Sequence, residues 1–96
     1  MAQNTILAAG TNAAISNEFS LPIGKSITVG AFVESGNIPS SVFLNILLDT
    51  PGEYVSIGKL TQQNPAFILI GPGTFKVSRS NIADFGIAVG AFTEDA

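Results

Sequence analysis

The side chains that most often carry catalysis are missing from this 96-residue chain. It contains no histidine and no cysteine. The commonest general base and the commonest transition-metal ligand are therefore absent. No thiolate can attack a substrate, bind a metal ion or form a disulfide. The sequence accordingly predicts a protein that is not an enzyme.

Seven acidic residues remain as candidates for acid–base chemistry or calcium binding: Glu18, Glu34, Asp49, Glu53, Asp84, Glu94 and Asp95. Two carboxylates are enough for a glycosidase, but most of these residues fall at predicted strand ends and turns, where acidic side chains are usually solvated. A calcium site built from Asp49 and Glu53 would have suitable oxygen ligands, yet no EF-hand spacing supports it. We predict no catalytic residue, no metal site and no cofactor.

Two glycine-containing segments resemble fragments of phosphate-binding loops. Residues 24–26 read Gly-Lys-Ser, but Phe19 stands where the motif needs its first glycine, and a predicted strand follows instead of a helix. Residues 71–73 read Gly-Pro-Gly, but Lys76 replaces the third glycine of a dinucleotide fingerprint. We interpret both segments as turns.

The chain carries unusually little charge. Charged residues make up 11% of the sequence, against about 25% in typical soluble domains. The four basic residues, Lys25, Lys59, Lys76 and Arg79, are scattered, which argues against a nucleic-acid partner. No apolar run is long enough to span a bilayer, so we expect no membrane partner. The low charge predicts that other protein copies or a partner cover part of the surface.

Apolar and polar residues alternate with a period of two along most of the chain, the pattern of half-buried β-strands. The predicted strands are 4–8, 13–20, 26–34, 42–49, 53–59, 66–70, 74–79 and 85–93. Seven or eight short, mainly antiparallel strands predict a single all-β domain over residues 1–96, a compact β-sandwich or jelly-roll-like barrel. The spacing leaves jelly-roll and immunoglobulin-like strand orders open. Residues 1–12 are a candidate flexible or partner-contacting arm.

Proline–glycine pairs separate several of these strands. Residues 51–52 and 72–73 each read Pro-Gly, which suits a type II turn because proline presets the second position and glycine accepts positive φ at the third. We therefore predict a positive φ at Gly73.

Two segments of the chain repeat each other. Residues 27–34 and 87–94 are identical at six of eight positions. Either this is a chance match between two strands rich in valine and alanine, or the strands occupy equivalent or adjacent places. In the second case, Gly30 and Gly90 should each lie beneath a close neighbour, such as Phe32, Phe92 or a strand from another subunit.

The phenylalanines divide between two predicted environments. Phe19, Phe75 and Phe85 share strand faces with aliphatic residues and are predicted to be core. The opposite strand faces carry Phe32, Phe43 and Phe92, which together with Gly30 and Gly90 form a candidate subunit interface. The alternatives are a reversed strand register or a loop that covers these rings.

The C-terminal half contains Gly-Pro-Gly-Thr-Phe-Lys-Val at residues 71–77 and Phe-Gly-Ile-Ala-Val at 85–89, and residues 49–52 read Asp-Thr-Pro-Gly. These segments resemble a group of small structural proteins of tailed bacteriophages. The resemblance covers about half of the chain and consists of turn and strand signatures. It implies a virion component assembled in the host cytoplasm, either a capsid cement (decoration) protein or the base of a head fibre. Such proteins are often trimers on the capsid surface, so it also implies a homo-oligomer, with a trimer favoured, that binds the major capsid protein.

An alternative hypothesis is a carbohydrate- or receptor-binding module of a phage fibre or secreted protein. Such a module would need exposed aromatic and amide side chains in one place. The sequence offers Tyr54 together with Gln-Gln-Asn at residues 62–64.

Overall fold

The structure is a computed structural model that describes residues 3–34, 36–39 and 41–95. Within these ranges the chain forms nine β-strands and one short 3-10 helix, at Ala83–Phe85. The strands are β1 (Gln3–Gly10), β2 (Ala14–Ile15), β3 (Phe19–Leu21), β4 (Ser26–Val33), β5 (Leu44–Leu48), β6 (Val55–Leu60), β7 (Ala66–Ile70), β8 (Gly73–Arg79) and β9 (Val89–Asp95).

Two antiparallel sheets face each other. The first sheet has the strand order β1-β9-β4-β7, and the second has the order β2-β8-β5-β6, with β3 also paired to β8. Side chains from the two inner faces form one hydrophobic core. The fold is therefore a β-sandwich, which confirms the predicted all-β class.

The strand order distinguishes the two candidate topologies. β2 and β3 pair with the same neighbour, β8, and count as one interrupted strand. On that count the first sheet holds the first, eighth, third and sixth strands, and the second holds the second, seventh, fourth and fifth. Successive strands change sheets except at the β5–β6 hairpin. This is jelly-roll order; an immunoglobulin-like order would keep the first two strands in one sheet.

The inward-pointing side chains of the alternating strands fill the space between the sheets. The side chains with less than 2% exposure are Val29, Val42, Leu44, Ile46, Leu60, Val77 and Val89, together with Ala91 at 0%. Burying an aliphatic side chain of this size contributes about 1.5–3 kcal/mol relative to leaving it exposed. The residues that alternate with these along the same strands point away from the core and lie on the two outer faces.

Some predicted elements differ from the structure. Within the segment considered as a flexible or partner-contacting arm, Gln3–Gly10 form the edge strand β1, which pairs with β9; a contact of this segment with a partner stays a prediction. The predicted strand 13–20 is interrupted at Ser16, whose hydroxyl accepts a hydrogen bond from the Val77 N–H at 2.9 Å. Phe85 is 45% exposed and not core, because it lies in the 3-10 helix that Gly86 ends at a φ of 70°.

The predicted type II turns are wrong. Neither Gly52 nor Gly73 has a positive φ, and the Gly71–Pro72 peptide is cis. Gly73 is already part of β8. The glycine that this turn requires is Gly71, where a Cβ would collide with the carbonyl oxygen of Pro22. In contrast, Gly24 has a φ of 80°, which confirms that residues 24–26 begin in a turn.

Candidate functional site

The two repeated segments lie side by side in the first sheet. β4 and β9 are antiparallel neighbours, and their register places Gly30 opposite Phe92 and Phe32 opposite Gly90. Ala31 and Ala91 face each other at the centre of this arrangement. The adjacent placement predicted from the repeat is confirmed.

Each phenylalanine ring covers the glycine of the opposite strand. A Cβ on Gly30 would lie 2.6 Å from the Phe92 ring, and one on Gly90 would lie 2.6 Å from the Phe32 ring. The two rings meet edge to face, with centroids 6.2 Å apart and an interplanar angle of 62°, a favourable aromatic geometry. The predicted close neighbours are therefore confirmed, and they belong to the same protomer as the glycines.

These residues lie at the centre of a surface that we call the apolar face, the outer surface of the first sheet. Its members follow from the strand register, because residues opposite each other in an antiparallel pair project to the same side. They are Gln3, Thr5, Ser26, Thr28, Gly30, Phe32, Ala66, Ile68, Ile70, Gly90, Phe92 and Glu94.

The apolar face carries little charge and much exposed hydrocarbon. Ile68 and Ile70 are 69% and 70% exposed. Among the described residues, the one charged side chain in its rows is Glu94, which accepts a hydrogen bond from the Gln3 side-chain amide at 2.7 Å. A shallow pocket on this face is lined by Thr5, Phe32 and Phe92.

The outer face of the second sheet has a different chemistry. Lys59 places its ammonium nitrogen 4.5 Å from the centroid of the Phe43 ring, and Lys76 places its own 3.8 Å from the Tyr54 ring centroid. These are cation–π contacts. Phe43 consequently lies on the opposite side of the sandwich from Phe32 and Phe92. The structure brings four of the five candidate interface residues together and separates Phe43 from them.

Tyr54 is engaged by neighbours within the protomer. Its hydroxyl donates a hydrogen bond to a Glu18 carboxylate oxygen, and that bond raises the pKa of Tyr54 to about 12, with smaller contributions from desolvation and nearby acidic charge. Tyr54 precedes β6, whereas residues 62–64 follow it. A six-residue strand spans about 20 Å, so the proposed aromatic and amide groups do not share one site.

Sequence reasoning missed the role of Arg79, which is 93% buried between the two sheets, with a relative exposure of 7%. From β8 in the second sheet, its guanidinium donates hydrogen bonds to the carbonyl oxygens of Ala8 at 2.8 Å, Asn12 at 2.7 Å and Val89 at 2.6 Å. Burial lowers the pKa of Arg79 below its usual value. Arg79 therefore ties the two sheets together through backbone acceptors.

The acceptors for Arg79 arise where the β1–β9 ladder is irregular. Leu7 pairs with Ala91 and Gly10 with Val89, so β1 contains one extra residue there, a β-bulge that disrupts local pairing. A Cβ on Gly10 would lie 3.0 Å from a guanidinium nitrogen. The sequence does contain one signal for the burial of Arg79, because this residue shares a strand face with Val77 and Phe75.

Among the described residues, no group of three or more acidic side chains is placed to hold a metal ion. No helix in the described part of the chain has the length and apolar character needed to cross a membrane.

These observations define a jelly-roll β-sandwich whose first sheet has an apolar outer face and whose second sheet carries Lys59 and Lys76 on its outer face. No family model matches the sequence, and no curated protein matches it. Among solved structures, the chain is similar to Aeromonas hydrophila PliG, a periplasmic lysozyme inhibitor of g-type lysozyme, with a TM-score of 0.57 and 15% identity over 99% of this chain and 85% of that one. The nucleoplasmin-like N-terminal domain of Drosophila FKBP39 gives a TM-score of 0.34 and 10% identity, covering 94% of this chain and 89% of that one. The first similarity supports the fold alone, and the second is too low to support an argument.

Proposed function

We propose that this chain is a non-enzymatic structural protein that works by assembly, as a capsid cement protein in the virion of a tailed bacteriophage. It associates with further copies of itself and binds the major capsid protein, and the apolar face is the surface that these contacts cover. The observation that carries the proposal is the chemistry of that face. It combines a preformed aromatic pair with exposed isoleucines and has no lysine or arginine among its described residues.

The composition of the apolar face matches the centre of a protein–protein interface. Interface centres are enriched in aromatic residues and depleted in lysine and acidic residues. Phe32 and Phe92 are half-buried already, whereas Ile68 and Ile70 keep most of their surface in water. Covering each of these isoleucines contributes up to about 1.5–3 kcal/mol. The other outer face carries Lys59 and Lys76 and is the better candidate for the solvent side.

The aromatic pair is also ordered before any partner arrives. Each ring lies on a glycine and against the other ring, so few rotamers remain to be lost on binding. Because ordering a side chain costs about 0.5–1.5 kcal/mol at an interface, such preorganisation favours association.

The assignment to a virion draws on the sequence resemblance and not on the fold. Jelly rolls occur both in viral capsids and in lectin domains, so the topology does not choose between assembly and carbohydrate binding. The arrangement of Tyr54 favours assembly. Its ring is covered by Lys76 and its hydroxyl is bonded to Glu18, so Tyr54 does not present a free aromatic platform.

Co-sedimentation with capsids built from the major capsid protein of the encoding phage tests the proposal. Thr5→Lys introduces a charge beside Phe92 on the apolar face, and Ser56→Lys introduces the same charge on the second sheet, opposite Leu47. Both positions are exposed. We expect the parent and Ser56→Lys to bind alike, and Thr5→Lys to bind roughly tenfold more weakly or worse, since the interface would bury an unpaired charge.

The outcomes test the cement function and the use of the apolar face separately. If the parent protein does not bind capsids, the cement function is wrong. If Thr5→Lys binds as well as Ser56→Lys, the apolar face is not the contact surface.

A further inference from the structure

The edge strands of the sandwich differ in how they are protected against pairing with another chain. Proteins blunt such edges with bulges, charges, proline or short strands. β1 has two register shifts, β6 has one shift and carries Lys59, and β2 and β3 have only two and three residues. β7 has none of these devices. It runs uninterrupted beside β4 and contains no charged residue and no proline.

The hydrogen bonds that flank β7 show which of its backbone groups are free. The Ala31 N–H donates to the Pro65 carbonyl oxygen, and the Gly71 N–H donates to the Lys25 carbonyl oxygen, both at 2.8 Å. In an antiparallel ladder, alternate residues of a strand bond to the same neighbour. The residues of β7 with odd numbers therefore face β4, and those with even numbers face away from it.

Three residues consequently present their backbone to the open edge: Ala66, Ile68 and Ile70. Each offers one N–H donor and one C=O acceptor, and β7 has β4 as its one strand neighbour in the described part of the chain. The side chains of Ile68 and Ile70 are also among the most exposed apolar groups. The edge thus combines unpaired backbone groups with an apolar surface, the combination that favours strand addition.

We propose that β7 pairs antiparallel with β7 of a second copy of this chain, about a twofold axis at Ile68. The two four-stranded first sheets would then form one continuous sheet, and the two apolar faces would join into one platform. This pairing rests on the proposed function, and it adds to that function the strand through which copies of the protein associate.

The sequence of β7 is complementary to itself in this register. Ile68 lies opposite Ile68 of the second copy, and Ala66 lies opposite Ile70 of the second copy, so a small side chain meets a large one on both sides of the axis. All three residues whose backbone groups face the open edge then form hydrogen-bonded pairs with residues of the second copy. Because β7 has no charged residue, no like charges meet across the twofold axis.

Other registers satisfy fewer groups. A pairing centred on Phe67 would match Ala66 with Ile68 of the second copy and leave the edge groups of Ile70 without partners. The unpaired groups would remain at the end of the new ladder. The register centred on Ile68 is therefore the one that uses the whole strand.

The oligomeric mass and a thiol placed on the axis test this inference. A twofold pair closes with two copies and not with the three that the sequence resemblance implies, so sedimentation equilibrium of the parent at micromolar concentration should give twice the chain mass of 9.9 kDa. Ile68→Lys should yield monomers, since two ammonium groups would face each other. Ile15→Lys should remain dimeric, because Ile15 is 60% exposed but belongs to β2 at the opposite edge.

Cross-linking reports on the register even if the lysine variant folds poorly. The chain has no cysteine, so Ile68→Cys provides a single thiol. Facing residues in a hydrogen-bonded antiparallel pair have Cα atoms about 5.5 Å apart, within the range that a disulfide spans. Mild oxidation should give a covalent dimer of Ile68→Cys much faster than of the matched Ile15→Cys control.

A parent monomer or trimer, a dimer that Ile68→Lys leaves intact, or equal cross-linking of the two cysteine variants would each overturn the β7 pairing. Capsid binding by a protein that fails these tests would leave the proposed function standing. A β7 dimer that does not bind capsids would support the pairing and reject the cement role.

Discussion

Arg79 Nη1 donates a 2.6 Å hydrogen bond to the Val89 carbonyl oxygen, across the space between the two sheets. The same guanidinium bonds to the carbonyl oxygens of Ala8 and Asn12. In the described structure its partners are backbone oxygens and not a carboxylate. One buried side chain therefore connects β8 of the second sheet to β1 and β9 of the first.

Replacing this arginine should destabilise the fold strongly. Arg79→Met keeps an apolar stem but leaves buried carbonyl groups without donors, at about 1–3 kcal/mol for each unsatisfied group. We expect a loss of about 3 kcal/mol or more in the free energy of unfolding, measured with urea. Arg79→Lys should be intermediate, because an ammonium group cannot reproduce the planar fork of donors. Lys76→Met, on the outer face, is the control and should change stability by less than about 1 kcal/mol. Equal midpoints for Arg79→Met and Lys76→Met would contradict this role.

The two glycines under the phenylalanine rings should respond differently to alanine. A Cβ on Gly90 would lie 2.6 Å from the backbone oxygen of Leu7 as well as from the Phe32 ring. At Gly30 the close contact is the Phe92 ring alone, and the nearest backbone oxygen, that of Pro65, is 3.4 Å away. A ring can move aside more easily than a neighbouring strand.

Gly90→Ala should therefore cost about 1–3 kcal/mol of stability, the range of overpacking, and Gly30→Ala should cost less. Thermal unfolding of both variants, followed by circular dichroism, measures the difference. A larger loss for Gly30→Ala than for Gly90→Ala would show that the rings, and not the β1 backbone, set the limit at this site.

The ionisation of Tyr54 offers a spectroscopic test of the second outer face. The chain has one tyrosine and no tryptophan, so the ultraviolet absorbance of the phenolate reports on this residue alone. We expect an apparent pKa of about 12 in the parent. Glu18→Ala should move it toward the ordinary value of about 10, because both the hydrogen-bond acceptor and the negative charge are lost.

The same pair contributes to stability in a defined pH range. Because the pKa of folded Tyr54 is raised, the contribution is fully present below the unfolded pKa of about 10 and is lost as the pH rises toward the folded value. Unfolding of the parent and Glu18→Ala should therefore differ below pH 10 and converge in stronger alkali. A pH-independent difference would mean that Glu18 acts without Tyr54.

Local periodicity was sufficient to predict the elements that pair regularly. Alternation placed Phe32 and Phe92 on the outer side of their strands, and the repeated segment indicated that Gly30 and Gly90 lie under close neighbours. Both features depend on residues within one strand or two similar strands. The register of β4 with β9 then brings them together.

Features that depend on distant backbone were not predictable in this way. The acceptors of Arg79 belong to three separate segments, at Ala8 in the β1 bulge, at Asn12 after β1 and at Val89 on β9, and no local pattern encodes them. Alternation predicts that Phe43 and Phe32 both point outward, but it cannot say from which of the two sheets each one projects. The proline neighbour predicts a positive φ at Gly73, whereas the close approach of the Pro22 backbone makes Gly71 the constrained glycine.

The central claim is that the apolar face is covered when the protein assembles. Hydroxyl-radical labelling read by mass spectrometry can compare phenylalanine oxidation in the free protein and in capsid-bound particles. Because interface centres exclude water, oxidation of Phe32 and Phe92 should fall roughly tenfold on binding, whereas Phe43 on the other outer face should be unchanged. Protection of Phe43 with no change at Phe32 and Phe92 would contradict the account.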